Sequence, residues 1–137
     1  MKNQDNIHGD ARFELDLCQE NILIARLVGS WNLVGAHVFV AEFYRHVEEQ
    51  FAGQEWGLLN DYRKWELCPP DVSDYFDQSV PRFLEKGWKY QAVLTSNKLQ
   101  EMVIDKYEKV TLGSGFVTRY FTGEEEAIDW LREQLSK

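Results

Sequence analysis

Five segments of strand-like sequence run through this chain of 137 residues, and each of the last four leads into a segment with helical periodicity. That alternation constrains the fold more than any other feature. Parallel strands must be joined by crossovers that pack back on the sheet, and helices are the usual crossover. The expected class is α/β: a five-stranded, mostly parallel sheet with an N-terminal antiparallel hairpin strand and four helices. Residues 1–10 read as a polar N-terminal tail and residues 11–137 as one domain. A domain of this size buries roughly two thirds of its unfolded surface without needing disulfide or metal staples.

In the first strand Phe13, Leu15 and Leu17 alternate with Arg12, Glu14 and Asp16, which predicts one buried and one wet face. A turn at Gln19-Glu20-Asn21 leads into residues 22–28, apolar except for Arg26, so the two segments should form a hairpin. Asn32 is the expected N-cap of a long helix with the stripe Leu33, Ala36, Val40, Phe43, Val47 and Phe51. Residues 56–62 predict the third strand and residues 63–70 a loop. Asp71 or Ser73 is the expected cap of the next helix, and Pro81 should kink or split it near Ser79. Residues 89–95 and 116–121 predict the last two strands, with a helix over 98–109 between them. Thr122-Gly123-Glu124-Glu125 matches a capping box at the start of a terminal amphipathic helix, and Glu124, Glu125 and Glu126 suit the positive end of its dipole. Right-handed crossovers then place strands two to five side by side in chain order. The same arrangement gathers Asn32, Asp61, Asn97 and Thr122 along the carboxyl-end rim, where such sheets usually carry their function.

The net charge of −8 disfavours nucleic acid and anionic membrane surfaces as partners. No apolar stretch approaches the ~20 residues of a membrane span, and residues 1–10 contain no export signal, so the cytoplasm is the expected compartment. His8, His37 and His46 share no metal-ligand spacing, and Cys18 and Cys68 read as free thiols rather than a disulfide framework. No glycine-rich dinucleotide or phosphate loop and no nucleophile elbow occurs, so neither a cofactor nor enzymatic activity is expected. Asp61 and Arg63 are read either as structural contacts, to each other or to neighbouring loop backbones, or as ligand groups, with an enzyme built on them as a minor alternative. Trp31 and Trp65, at element ends, are packing lids or a partner surface. Asn97 is a helix cap or a ligand donor. Ser73 is a first-turn helix residue or a phosphorylation site.

Gly29-Ser30-Trp31-Asn32 before the long helix, residues 58–66 (Leu-Leu-Asn-Asp-Tyr-Arg-Lys-Trp-Glu), and residues 121–127 (Phe-Thr-Gly-Glu-Glu-Glu-Ala) resemble the SpoIIAA-like family. These are relatives of the STAS domains that act as anti-sigma-factor antagonists. The likeness covers nearly the whole chain and implies a β–α superhelix, also seen in lipid-carrying CRAL-TRIO domains. It implies a non-enzymatic module acting through protein contacts in a bacterial regulatory setting, with a regulatory kinase or sigma-factor regulator as partner. The alternative it implies is a carrier of lipid or another small ligand. It also implies a phosphoserine switch near the helix after the third strand. This chain departs from that pattern: a Trp- and Pro-containing loop intervenes, and Ser73, the nearest serine, is flanked by Asp71 and Asp74. A second copy of the chain is a further candidate partner.

Overall fold

The computed structural model describes residues 11–18, 21–66, 69–96 and 116–137, and the backbone of residues 2–8. The elements are β1 (Lys2–His8), β2 (Ala11–Cys18), β3 (Ile22–Gly29), α1 (Leu33–Gln50), β4 (Trp56–Trp65), α2 (Pro70–Glu85), β5 (Trp88–Leu94), β6 (Val117–Phe121) and α3 (Glu124–Leu135). Among the described residues they form one six-stranded sheet in chain order and three helices. The first two pairings are antiparallel and the remaining three parallel, so the hairpin and the sequential parallel core are as expected. Two corrections concern the ends of strands. Residues 2–8, expected as a tail, add a sixth strand at the edge, held by backbone pairing to β2. β4 runs on to Trp65 rather than stopping at Tyr62. The helix expected over 98–109 and Asn97 both lie outside the described residues.

The two faces of the sheet are covered differently. Phe13, Leu15, Leu23, Ala25, Leu27 and Leu58 face α1 and α2 in the larger core. Ile22, Ile24, Leu59, Ala92 and Leu94 face α3 through Ala127 and Leu131. β4 is buried continuously from Trp56 to Asp61, as a strand covered on both faces must be. In the larger core Trp56 is fully buried and lies nearly parallel between Phe51 (5.3 Å) and Trp88 (5.9 Å), with its indole donating to the Lys86 carbonyl at 3.0 Å. Gly87 supports this packing from the backbone. It adopts φ +99°, and a Cβ there would collide with the Gln54 carbonyl oxygen.

Asn32 caps α1 as expected, its side chain accepting from the Gly35 N–H at 2.9 Å. Asn32→Ala removes that acceptor and should cost about 1 kcal/mol, read as a lower chemical-denaturation midpoint at unchanged m-value. The buried stripe is the expected one at Ala36, Val40, Phe43, Val47 and Phe51, and differs at its N-terminal end. Phe39 is inside, whereas Leu33 is exposed because Trp31, just before the cap, fills the space over Phe39. α2 starts earlier than expected: Pro69 is the cap and Pro70 the first helical residue, so neither Asp71 nor Ser73 caps it. α2 also continues through Pro81 to Glu85 without splitting. The expected capping box at α3 does not form. Gly123 is the cap residue and makes no side-chain cap bond, while Glu124 turns to the sheet instead.

Candidate functional site

On the α3 face, Glu14, Arg26 and Asp61 stand in one row across β2, β3 and β4. Arg26 lies in an otherwise apolar strand, and a guanidinium there requires anionic partners. It donates through Nη1 to Asp61 Oδ2 at 2.9 Å, and through Nη1 and Nη2 to the two Glu124 oxygens at 2.7 and 3.1 Å. Its Nε lies 3.5 Å from Glu14 Oε1. A β-bulge follows immediately, since Arg26 pairs with Asp61 but Val28 pairs with Lys64. At this bulge the chain folds Arg63 back on Asp61. Arg63 donates its backbone N–H at 3.1 Å and its Nε at 2.9 Å to Oδ1, and its Nη2 at 2.9 Å to Oδ2.

The electrostatics follow from that geometry. Burial pulls the Asp61 carboxyl upward, but the hydrogen bonds from Arg63 and Arg26 together outweigh it and hold Asp61 below the ordinary range. The Arg26 hydrogen bond likewise holds Glu124 below its ordinary value against burial. Both Asp61 oxygens are thus engaged by guanidiniums, and a carboxylate so stabilised is a weak proton acceptor. The cluster joins β3, β4 and the N-terminus of α3. Sequence reasoning found Asp61 and Arg63 but missed Arg26 and Glu124. The available signal was the single arginine interrupting residues 22–28.

The other expected positions do not share this place. Trp31 is buried at 3% exposure among Phe13, Phe39 and Phe76, and its indole donates to the Val28 carbonyl at 3.0 Å. Of the two readings offered for it, the packed lid is the one its burial fits, and an exposed partner surface at Trp31 is not. Trp65 is half-buried against Tyr62 and Phe76. Its indole N–H is buried and has no acceptor among the described residues. Ser73 is buried at 6% exposure, with its hydroxyl donating to the Pro70 carbonyl at 3.0 Å. That placement does not suit a phosphorylation site, because a kinase would have to reach an enclosed hydroxyl.

Trp65 and Ser73 instead border a cleft of about 100 Å³ between α1, α2 and the sheet. Its walls include Phe39, Phe43, Phe76 and Phe83, and polar edges come from Asn60, Gln91 and Asp77. Asn60 donates to Gln91 at 2.5 Å, and Gln91 to Thr118 at 3.3 Å, so the polar floor is tied across three strands. Among the described residues no group of His, Cys, Asp and Glu is arranged to hold a metal ion, and no helix is long and apolar enough to cross a membrane.

No family model matches the chain, and no curated protein matches it. Solved structures do. An uncharacterised protein of the DUF3478 family with a SpoIIAA-like fold, from Shewanella loihica PV-4, superposes with a TM-score of 0.67 at 18% identity, over 93% of this chain and 97% of that one. This chain has a SpoIIAA-like fold. An anti-sigma factor antagonist from Mycobacterium paratuberculosis aligns with a TM-score of 0.57 at 8% identity, over 88% and 92% of the two chains. The SpoIIAA-like architecture therefore extends over nearly the full length, and the expected β–α order is that of the fold.

Proposed function

We propose that this SpoIIAA-like chain is a non-enzymatic regulatory module that binds a protein partner through the first two turns of α1. The observation that carries this reading is an apolar strip on the exposed side of α1. Leu33, Val34 and Val38 are 38%, 55% and 38% exposed, and Ala41 continues the strip. Apolar side chains grouped in this way on a charged surface are characteristic of contact sites. The strip has an acidic border. Glu66 is held beside it by the Ser30 hydroxyl at 2.7 Å. His37 stacks on Tyr75 at 4.1 Å, which brings Asp71 and Asp74 of α2 alongside. The matching partner is a protein segment with apolar side chains flanked by lysine or arginine. Likeness to an anti-sigma factor antagonist supports a regulatory partner, such as a kinase or sigma-factor regulator. Ser73 has no part in this reading.

Selection of displayed peptides against the intact chain tests it. Peptides that pair apolar residues with basic ones should be enriched. Val34→Asp/Val38→Asp should weaken their binding at least ~10-fold while leaving stability within about 0.5 kcal/mol, because both positions are exposed. Binding unaffected by the double variant would place the contact elsewhere. Self-association lost in the double variant would identify a second copy as the occupant instead.

A second reading, a small-ligand carrier, is favoured by the cleft beneath α2. Its mixture of apolar walls and a few polar groups is the usual composition of a ligand site.

A further inference from the structure

The cleft beneath α2 has two polar groups that the fold leaves unanswered. Asp77, on its wall, makes no hydrogen bond or ion pair among the described residues. The Trp65 indole N–H is buried without an acceptor among them. A mid-helix carboxylate facing apolar walls would ordinarily be paired, as Asp61 is on the opposite face of the sheet. Asp74, one turn earlier, adds a second negative charge rather than a counter-ion. Among the other lining residues, Phe39, Phe43, Phe76, Phe83 and Trp88 are aromatic, beside aliphatic Leu27, Val40, Leu58 and Val80. Aromatic faces around a carboxylate attract cations through their quadrupoles as well as through charge.

Resting on the carrier reading, we propose that the cleft binds a small organic cation carrying a hydroxyl or ether oxygen. The ammonium group sits among the aromatic rings and beside Asp77, and the oxygen accepts from the Trp65 indole. The size agrees. A space of about 100 Å³ is smaller than the ~150 Å³ cavity that accommodates benzene, so the buried part of the ligand is a compact group of a few heavy atoms. Burial and Asp74 both push the Asp77 carboxyl above its ordinary value, and a bound cation would reverse that shift. The site selects for charge within an apolar enclosure, which a simple hydrophobic pocket does not.

Choline and its neutral carbon isostere 3,3-dimethylbutan-1-ol separate charge from shape. Each is titrated into the full chain while tryptophan fluorescence and backbone amide shifts are followed. Choline should bind about tenfold more tightly than the isostere, with shifts in β4, β5 and α2. Asp77→Asn should abolish that preference without lowering Tm, since it removes an unpaired carboxylate. Equal binding of the two compounds, or a choline preference that survives Asp77→Asn, overturns the cation assignment while leaving a ligand cleft. Saturable binding of neither compound overturns the carrier reading as well.

Discussion

Replacing Trp56 by alanine should destabilise the domain by about 3–5 kcal/mol, the largest effect expected of any single truncation considered for this chain. Its ring is fully buried, lies between Phe51 and Trp88, and meets Phe43 at 5.9 Å. Truncation leaves a cavity that rigid aromatic neighbours cannot fill, and it leaves the Lys86 carbonyl without the indole donor. Against a total stability of roughly 5–15 kcal/mol, the loss is enough to populate the unfolded state measurably. Urea titration followed by far-UV circular dichroism reads it directly. A loss below about 1 kcal/mol would mean that the aromatic stack is not where the larger core gains its stability.

The second large effect belongs to Arg26. Arg26→Ala leaves Asp61, Glu124 and Glu14 without their shared guanidinium, although Arg63 still answers Asp61. Breaking a fully buried ion pair costs roughly 3–5 kcal/mol. The Arg26 side chain is 26% exposed, so about 2–3 kcal/mol is expected at neutral pH. The pH dependence distinguishes this loss from simple cavity formation. Asp61 and Glu124 are held below their ordinary values of 3.8 and 4.5, so in the unfolded chain they bind protons at higher pH than in the folded one. Their contribution is complete above pH ~5 and is lost as pH falls through the depressed folded values. Arg26→Ala should therefore flatten stability between about pH 5 and pH 3, bringing the variant and parent closest at the acid end. Because Arg26 and Glu124 share a two-bond contact, Arg26→Ala/Glu124→Ala should cost less than the sum of the single changes. Additive losses would show that the cluster does not tie α3 to the sheet.

Much of the fold was legible because its signals are local and periodic. The alternation in residues 12–17, the near-continuous apolar run at 22–28 and the Asn32 cap each specify one element without reference to the others. What was missed depends on neighbours remote in sequence. β1 is polar in sequence and pairs with β2 through its backbone, so no apolar period announces it. Arg63 and Lys64 read as loop residues, yet they continue a strand beyond a bulge whose partner lies more than thirty positions earlier. Thr122 and Glu125 satisfy a capping pattern, but Gly123 takes the cap and Glu124 is drawn to a guanidinium 98 positions away. Leu33 belonged to the expected buried stripe; the other five members are buried, while Trp31 packs on Phe39 at the start of the helix and Leu33 stays on the surface. The candidate site was legible in part for the same reason. Asp61 with Arg63 is a local pair, whereas the α1 strip and the cleft arise from packing between elements.

The most direct measurement is the footprint of a selected apolar–basic peptide on the isotopically labelled chain, read from amide chemical-shift changes. Contact through α1 predicts changes concentrated at residues 33–41 and 71–75, with the amides of Arg26, Asp61 and Arg63 unmoved. A footprint centred on those three residues and Glu124, with the α1 strip silent, would contradict it.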